Sequence, residues 1–522
     1  PPDQAAREAA LDPTRSFLVR APAGSGKTEL LIQRFLRLLP AVPRPEAIVA
    51  ITFTRKAAAE MAERISDALR QAAAGEPVAG AHRRHTRALA EAALAADRER
   101  GWGLLDHPGR LRIRTIDALC LELVGRLPLL SRLAGAAQPT EEADRLHRLA
   151  AEQALASGEA EGDPHVARLL AHVGGAPERF VALVAELLAR RGQARELLGR
   201  ASGPGARRDF EAALERLVAR ELASLAQEAP DAVAQRLPWL AAYAARRVEP
   251  DSPIAACEGL EALPGPEAAA LPLWRGLAAL LLVGDGGKGR YRLRRPGGVN
   301  RTVGFPPGPR GSREAAAKAE LQGLLELLEG HPGWVARLAL CRDLPEPRYE
   351  DAAWSVAEAA VAVVKRAAAH LWLLFREQGR VDFTEVALEA IDALGSSDDP
   401  SDLLLAVDAE VRHLLVDEYQ DTSRGQQRLL ELLTAGWEPG DGRTLFLVGD
   451  PMQSIYRFRE AEVALFLEAA REGVGPVRPE RLTLEANFRS APELVAWANE
   501  RLAPLFPAAE EPAAGWVPYT KA

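Results

Sequence analysis

Cysteine is nearly missing from this chain: three thiols, Cys120, Cys257 and Cys341, stand far apart in 522 residues. That spacing supports neither a zinc site nor a disulfide framework, and it suits a reducing compartment. Lysine is almost as scarce, with six among 65 basic residues, so arginine carries the positive charge. An excess of positive charge is also lacking, because 73 Asp and Glu leave the chain at −8. A basic coat over the whole protein is excluded; a local basic groove is not. Long apolar runs are absent too. The longest, Leu277–Val283, is far short of the ~20 residues that span a bilayer, and no basic-led apolar segment follows Pro1. The expectation is a cytoplasmic protein with no membrane partner. What remains is ordinary globular material, 48% hydrophobic and 26% charged. The length suggests roughly three to four domains, with cores large enough to need no staple.

The order of elements carries more. Pro1–Ala10 reads as helix, Ser16–Arg20 as a short strand, Ala21–Thr28 as a loop and Glu29–Leu39 as a helix with apolar residues at helical spacing. Ile48–Phe53 is a nearly continuous apolar run, as a parallel strand buried on both faces should be. A helix over Lys56–Gln71 and a strand over Leu111–Thr115 follow. From about Gly125 to Arg380, Ala, Leu, Arg and Glu dominate with helical periodicity, broken by one Gly-, Pro- and Arg-rich island at Gly284–Gly311. β-like runs return at Val411–Val416, Thr444–Val448 and Arg481–Leu484. Strand–helix units at both ends of a helical middle predict one α/β domain with a parallel sheet, interrupted by a large, mostly helical insertion.

Two motifs bring chemistry to that frame. Ala21-Pro22-Ala23-Gly24-Ser25-Gly26-Lys27-Thr28 fits a phosphate-binding loop, with Ala in place of the first Gly. Gly24 and Gly26 let backbone N–H groups turn inward onto phosphate oxygens, and the following helix aims its positive end at the same anion. Lys27 supplies a full charge to the β- and γ-phosphates, and the Thr28 hydroxyl can ligate Mg²⁺. The second motif, Leu414–Thr422, is an apolar strand ending in carboxylates. There Asp417 is the candidate metal-side carboxylate and Glu418 the candidate general base. Far more chain separates Lys27 from Asp417 than a nucleotide-binding domain uses, so the helical block must be inserted between them.

With these motifs go others in a fixed order: Ile51-Thr-Phe-Thr-Arg-Lys-Ala-Ala-Ala-Glu-Met61, Thr115-Ile-Asp-Ala-Leu119, Val448-Gly-Asp-Pro-Met-Gln-Ser-Ile-Tyr-Arg-Phe-Arg459 and Leu484-Glu-Ala-Asn-Phe-Arg-Ser490. The set resembles the superfamily 1 DNA helicases of the UvrD/Rep/PcrA type, nearest their RecB/AddA-like branch. The resemblance implies a RecA-like ATP-binding motor domain over residues 1–125 and 381–478, a helical inserted domain over 126–380, and the start of a second RecA-like domain over 479–522. It implies ATP and Mg²⁺ as ligands and a catalytic set of Lys27, Asp417, Glu418, Gln453 and Arg489, with Gln453 and Arg489 on the γ-phosphate. Gln4 resembles the adenine-reading glutamine, Arg34 a nucleotide-contacting arginine, and Phe488 the aromatic stacked on adenine. Phe53, Thr54, Arg55 and Lys56, then Thr115 and Asp117, then Tyr456, Phe458 and Arg459, resemble the DNA-side motifs. Asp117 stands where relatives often carry histidine.

The implied function is an ATP-dependent 3′→5′ translocase on single-stranded DNA, in double-strand-break repair or recombination. Single-stranded and duplex DNA would be its partners, with a nuclease or helicase partner subunit beside them. Two rivals stay open: a non-motor DNA-binding subunit with a structural ATP switch, and an unrelated phosphate-loop enzyme. Lys288–Arg301 holds six basic residues and one aromatic in fourteen, and reads either as a solvated loop or as a phosphate-contacting one. Trp102, Trp239, Trp274, Trp334, Trp354 and Trp372 are expected in cores. With so little chain after Ser490, an N-terminal piece of a longer motor is expected.

Overall fold

The computed structural model describes residues 1–75, 79–126, 138–140, 142–192, 205–284, 291–454, 462–506, 510 and 517–521. Its strands, in chain order, are β1 (Phe17–Arg20), β2 (Ile48–Thr52), β3 (Arg112–Thr115), β4 (Gln138–Pro139), β5 (Leu282–Gly284), β6 (Tyr291–Leu293), β7 (Arg380–Val381), β8 (His413–Val416), β9 (Thr444–Gly449) and β10 (Glu480–Thr483). Six of them form one parallel sheet in the order β10-β1-β9-β8-β2-β3. The registers set Phe17 beside Phe446 and Glu480, Leu415 beside Phe446, and Ala50 beside Leu415. The fold class expected from the sequence, a parallel α/β sheet interrupted by helices, is the one observed.

The apolar runs predicted this sheet because each central strand is covered on both sides. Every residue of β2, β8 and β9 is buried, whereas β10 is largely exposed as an edge. Phe17, Val19, Ala50, Leu415, Phe446 and Val448 share one face, where Leu31, Phe35, Met61, Ile65, Ala90 and Leu94 pack on them. Those residues belong to three helices, α2 (Lys27–Leu38), α3 (Arg55–Ala74) and α4 (Ala81–Arg100). On α3 the buried positions Ala58, Met61, Ile65 and Leu69 recur at helical spacing, and Gly75 at φ +71° ends the helix.

The chain divides into two compact units: Pro1–Asp163 with Val173–Glu196 and Val363–Ala522, and Pro164–His172 with Leu197–Ala362. The first holds the six-stranded sheet. It also holds the helix Ala143–Glu161 packed on Pro177–Ala189, both within the 126–380 block. β10, inside the 479–522 segment, is hydrogen-bonded to β1 as the edge of that same sheet. The second unit is helical around its own core of Leu222, Leu237, Trp274, Leu277, Phe305 and Leu324, with β5 and β6 as an antiparallel pair. Trp102, Trp274 and Trp334 are core residues as expected, but Trp239 is 43% exposed. Its helix, Asp231–Ala245, turns Leu237, Leu240, Ala241 and Ala244 inward, and Trp239 falls on the other face. The three cysteines are free and buried. Among the described residues no helix is long and apolar enough to cross a membrane.

Candidate active site

The phosphate loop leaves the C-terminal end of β1, where Ala21 N–H still donates to Gly449 O at 2.9 Å. Gly24 at φ +79° and Gly26 at φ +78° make the turn in a left-handed backbone that a side chain would strain. Gly26 is the N-cap of α2 and offers no capping side chain, so the first-turn N–H groups of α2 carry no side-chain cap. Ser25 is buried, and its Oγ is without a hydrogen-bond partner. Cradle, uncapped helix end and orphaned hydroxyl together fit a phosphate group.

β8 delivers the carboxylates to the same end of the sheet. Asp417 is 8% exposed. Burial, and then the neighbouring Glu418 charge, push its pKa up to about 6 against the pull of Lys27. Glu418 sits at φ +52°, the only described non-glycine residue with positive φ. This strained backbone turns its carboxylate back to the loop, where Lys27 Nζ donates to Oε2. Gln420 Nε2 donates to the same oxygen at 2.8 Å, while Asp450 N–H donates to Gln420 Oε1 at 2.9 Å. Gln420 thus ties the end of β8 to the end of β9. Asp421 is buried, and that burial raises its pKa to about 6, while Ser454 Oγ donates to it at 2.9 Å. Gln453 is exposed and donates to Asp450.

Among the described residues no three His, Cys, Asp or Glu cluster as a cation cage. Asp417, a buried carboxylate short of positive charge, and Thr28 fit Mg²⁺ of the kind that takes the rest of its shell from phosphates and water.

The segment after β10 covers the loop. Phe488 N–H donates to Gly24 O at 2.8 Å and Asn487 Nδ2 to Ala23 O at 3.1 Å. A Cβ on Gly24 would lie 2.6 Å from Asn487 Oδ1 and 2.9 Å from Arg489 Cβ. Arg489 and Phe488 are therefore brought to the loop, both exposed. Gln4 is exposed at the start of the short helix α1 (Gln4–Ala9), donating to Glu8 at 2.8 Å.

Arg34 requires a correction. It is fully buried, donates to the carbonyls of Ala10, Asp12 and Arg15, and lies over the rings of Phe17 and Phe446. Burial lowers its pKa to about 10. It stitches the chain before β1 to the core and offers no face to a nucleotide. The sequence spacing put it one turn along α2, but the face it occupies is the inward one.

On the DNA-side motifs, Phe53 and Asp117 meet in one cavity of about 260 Å³, with Ile116, Thr140, Phe383 and Thr384 in its wall. Thr54 and Thr115 cap helices, accepting from Ala57 N–H at 3.1 Å and Ala118 N–H at 3.2 Å. Arg55 and Lys56 are exposed in the first turn of α3. Tyr456, Phe458 and Arg459 lie outside the described residues. Sequence reading missed Asp3, Arg7, Gln420 and Asn487. Gln420 had a signal in its place two residues after Glu418; Asp3 and Arg7 had none, because their partners lie across the fold.

A family model described as the UvrD/REP helicase N-terminal domain matches residues 3–189 and 344–473. An ATP-dependent helicase/nuclease subunit from Geobacillus thermodenitrificans (strain NG80-2) is 28% identical over 532 residues, spanning 93% of this chain and 38% of that protein. The protein of the same description from Desulfitobacterium hafniense (strain DSM 10664 / DCB-2) is 27% identical over 531 residues, 95% of this chain and 35% of its own length. That of Staphylococcus aureus (strain JH9) is 36% identical over a shorter stretch of 129 residues, 24% of this chain. The chain therefore spans little more than a third of the two relatives it matches over most of its own length.

Proposed function

Because the chain belongs to the UvrD/REP helicase family, we propose that it is the ATP-hydrolysing motor part of a DNA helicase. The observation that carries the proposal is the meeting of Lys27 and Glu418 at the ends of two strands of one sheet, with Asp417 beside them. In this reading the loop N–H groups and Lys27 hold the triphosphate. Glu418 takes the proton of a water that attacks the γ-phosphorus, and the P–O bond to the leaving diphosphate breaks. Thr28 and Asp417 would hold Mg²⁺, whose positive charge would offset the negative charge of the phosphate oxygens. Gln453 and Arg489 add donors to the γ-phosphate, and Phe488 stacks on the base. Phe53 and Asp117 face single-stranded DNA, with Arg55 and Lys56 on its phosphates. The exposed arginines Arg292, Arg295 and Arg301 suit the phosphates of duplex DNA. The same proposal includes movement in the 3′→5′ direction, a role in double-strand-break repair or recombination, and a second protein as partner. The motif order supports the direction and the repair role, and the naming of the relatives as one subunit of a helicase/nuclease supports the partner.

ATPase assays with and without single-stranded DNA test it, followed by strand separation on 3′- and 5′-tailed duplexes. Turnover stimulated by DNA supports the motor. ATP binding without turnover would favour a switch, and turnover indifferent to DNA an unrelated phosphate-loop enzyme.

A further inference from the structure

We infer that Arg7 is a positioning residue for the nucleotide base, acting through Phe488; this rests on the nucleotide-site reading above. Three separate attachments meet on the Arg7 guanidinium. Its Nε and Nη2 donate to Asp3 Oδ1 and Oδ2, both at 2.8 Å. Nη2 also donates to the phosphate-loop carbonyl of Ser25 at 2.7 Å. Its Cζ stands 5.2 Å from the centroid of the Phe488 ring.

Asp3 extends the link. Its side chain is 1% exposed, and Oδ2 accepts the N–H groups of Glu485 and Ala486 at 2.9 and 3.1 Å. One carboxylate therefore fixes both the arginine that backs the ring and the main chain that leads to the ring. Phe488 is held from behind in this way, yet remains 65% exposed. On its inner side a Cβ on Gly26 would lie 3.5 Å from Phe488 Cδ2 and 3.8 Å from Arg7 Nη1, ordinary contact distances that place ring and guanidinium together against the loop.

The result is a flat apolar face, oriented by a cation and opening to solvent beside the phosphate loop. An exposed ring left free would sample several rotamers, and a stacking ligand would have to restrict them. With Arg7 stacked and Asp3 fixed, that ordering is already present. The ligand such a face takes is a planar nitrogen heterocycle, here the base of a nucleotide whose phosphates lie in the loop. Arg7 therefore acts on the base end of the ligand and leaves the phosphate end to Lys27.

The experiment compares two ligands, ATP and inorganic triphosphate, by equilibrium titration of the wild type, Arg7→Ala, Arg7→Lys, Phe488→Ala and Arg7→Ala/Phe488→Ala. Arg7→Ala should weaken ATP about three- to tenfold, the scale of one cation–π contact with its ordering, and leave triphosphate within about twofold. Arg7→Lys should recover only part of the loss, since an ammonium cannot grip Asp3 with two parallel bonds. In the double variant the ATP losses should not add. Equal weakening of both ligands, additive losses, or ATP binding unchanged in Arg7→Ala would each overturn the inference. If Arg7→Ala does not fold, the same comparison in Arg7→Lys decides. Lys27→Ala is the control: it should lose both ligands. If the wild type binds neither, the nucleotide-site reading itself fails.

Discussion

Lys27 and Glu418, 391 positions apart in sequence, form an ion pair, the lysine ammonium donating to the glutamate carboxylate. The cation suited to the phosphates thus neutralises the carboxylate suited to activating water. In the proposed reaction the phosphates compete with Glu418 for Lys27, and Gln420 is the other donor to the Glu418 carboxylate among the contacts described above.

Replacing Glu418 by Gln keeps the shape and removes both the base and the competing charge. ATP should bind as well as to the wild type or up to about tenfold more tightly, while hydrolysis falls on the order of 10²–10⁴-fold. Binding titrations beside single-turnover hydrolysis check this. Weakened binding with undiminished single-turnover hydrolysis would move the role to another residue.

Lys27→Ala should abolish turnover and weaken ATP binding at least about tenfold, the loss of a charge-assisted contact. The fold should hold, because Lys27 and Glu418 are part-buried at the end of the sheet and belong to no part of its hydrophobic core. Thermal unfolding without nucleotide should be nearly unchanged, and wild-type turnover would refute the site.

The left-handed backbone at Glu418 predicts a difference between two inactive variants. Glu418→Gly should be more stable than Glu418→Ala by about 1 kcal/mol, since only glycine takes that φ without strain. Urea unfolding of the pair measures it; equal stabilities would show that the backbone relaxes.

His413 sets a pH dependence. Burial, then the charges of Arg34 and Arg412, depress its pKa to about 3, and its Nδ1 lies 2.8 Å from Thr444 Oγ1. Because the folded value lies below the unfolded one near 6.5, its contribution is full above about pH 6.5 and lost as pH falls towards 3. Between pH 6.5 and 5 this removes about 2 kcal/mol. Asp417 and Asp421, raised to about 6, act in the opposite direction over part of that window. Comparison with His413→Gln isolates the histidine: denaturant midpoints at pH 7 and 5 should fall less in the variant than in the wild type.

Arg295 and Arg301 are exposed, and among the described residues neither pairs with a carboxylate. The chain carrying them is held down by buried Val299, Val303 and Phe305. If both contact duplex phosphates, Arg295→Ala and Arg301→Ala should each reduce the slope of log affinity against log salt by about 0.9. Unchanged slopes would leave this stretch a solvated surface.

The sheet was legible because its central strands are buried on both faces: Ile48–Thr52 and Thr444–Gly449 show themselves as nearly unbroken apolar runs. The phosphate loop was legible because backbone chemistry demands Gly24 and Gly26. Arg34 was misread because a charged residue at regular spacing on a helix gives no sign of facing inward. Its solvation is replaced by three carbonyls from a segment some twenty residues away. The strap through Asp3 and Arg7 was invisible for the same reason, its partners lying at the far end of the chain. At Thr54 and Thr115 the sequence does not separate two roles, because capping and phosphate binding select the same hydroxyl at the same helix end.

The strand order has a consequence for synthesis. β1 pairs with β9 and β10 and with no strand nearer in sequence. β2 and β3 can zip together as soon as both have left the ribosome, but β1 must wait for Thr444 and beyond. At translation speeds of about 5–20 residues per second that wait is on the order of a minute. For that time Phe17, Leu18 and Val19, which end fully covered, belong to a nascent strand with both edges open. The loop that follows β1 is thus synthesised long before the strands that flank β1 in the finished sheet.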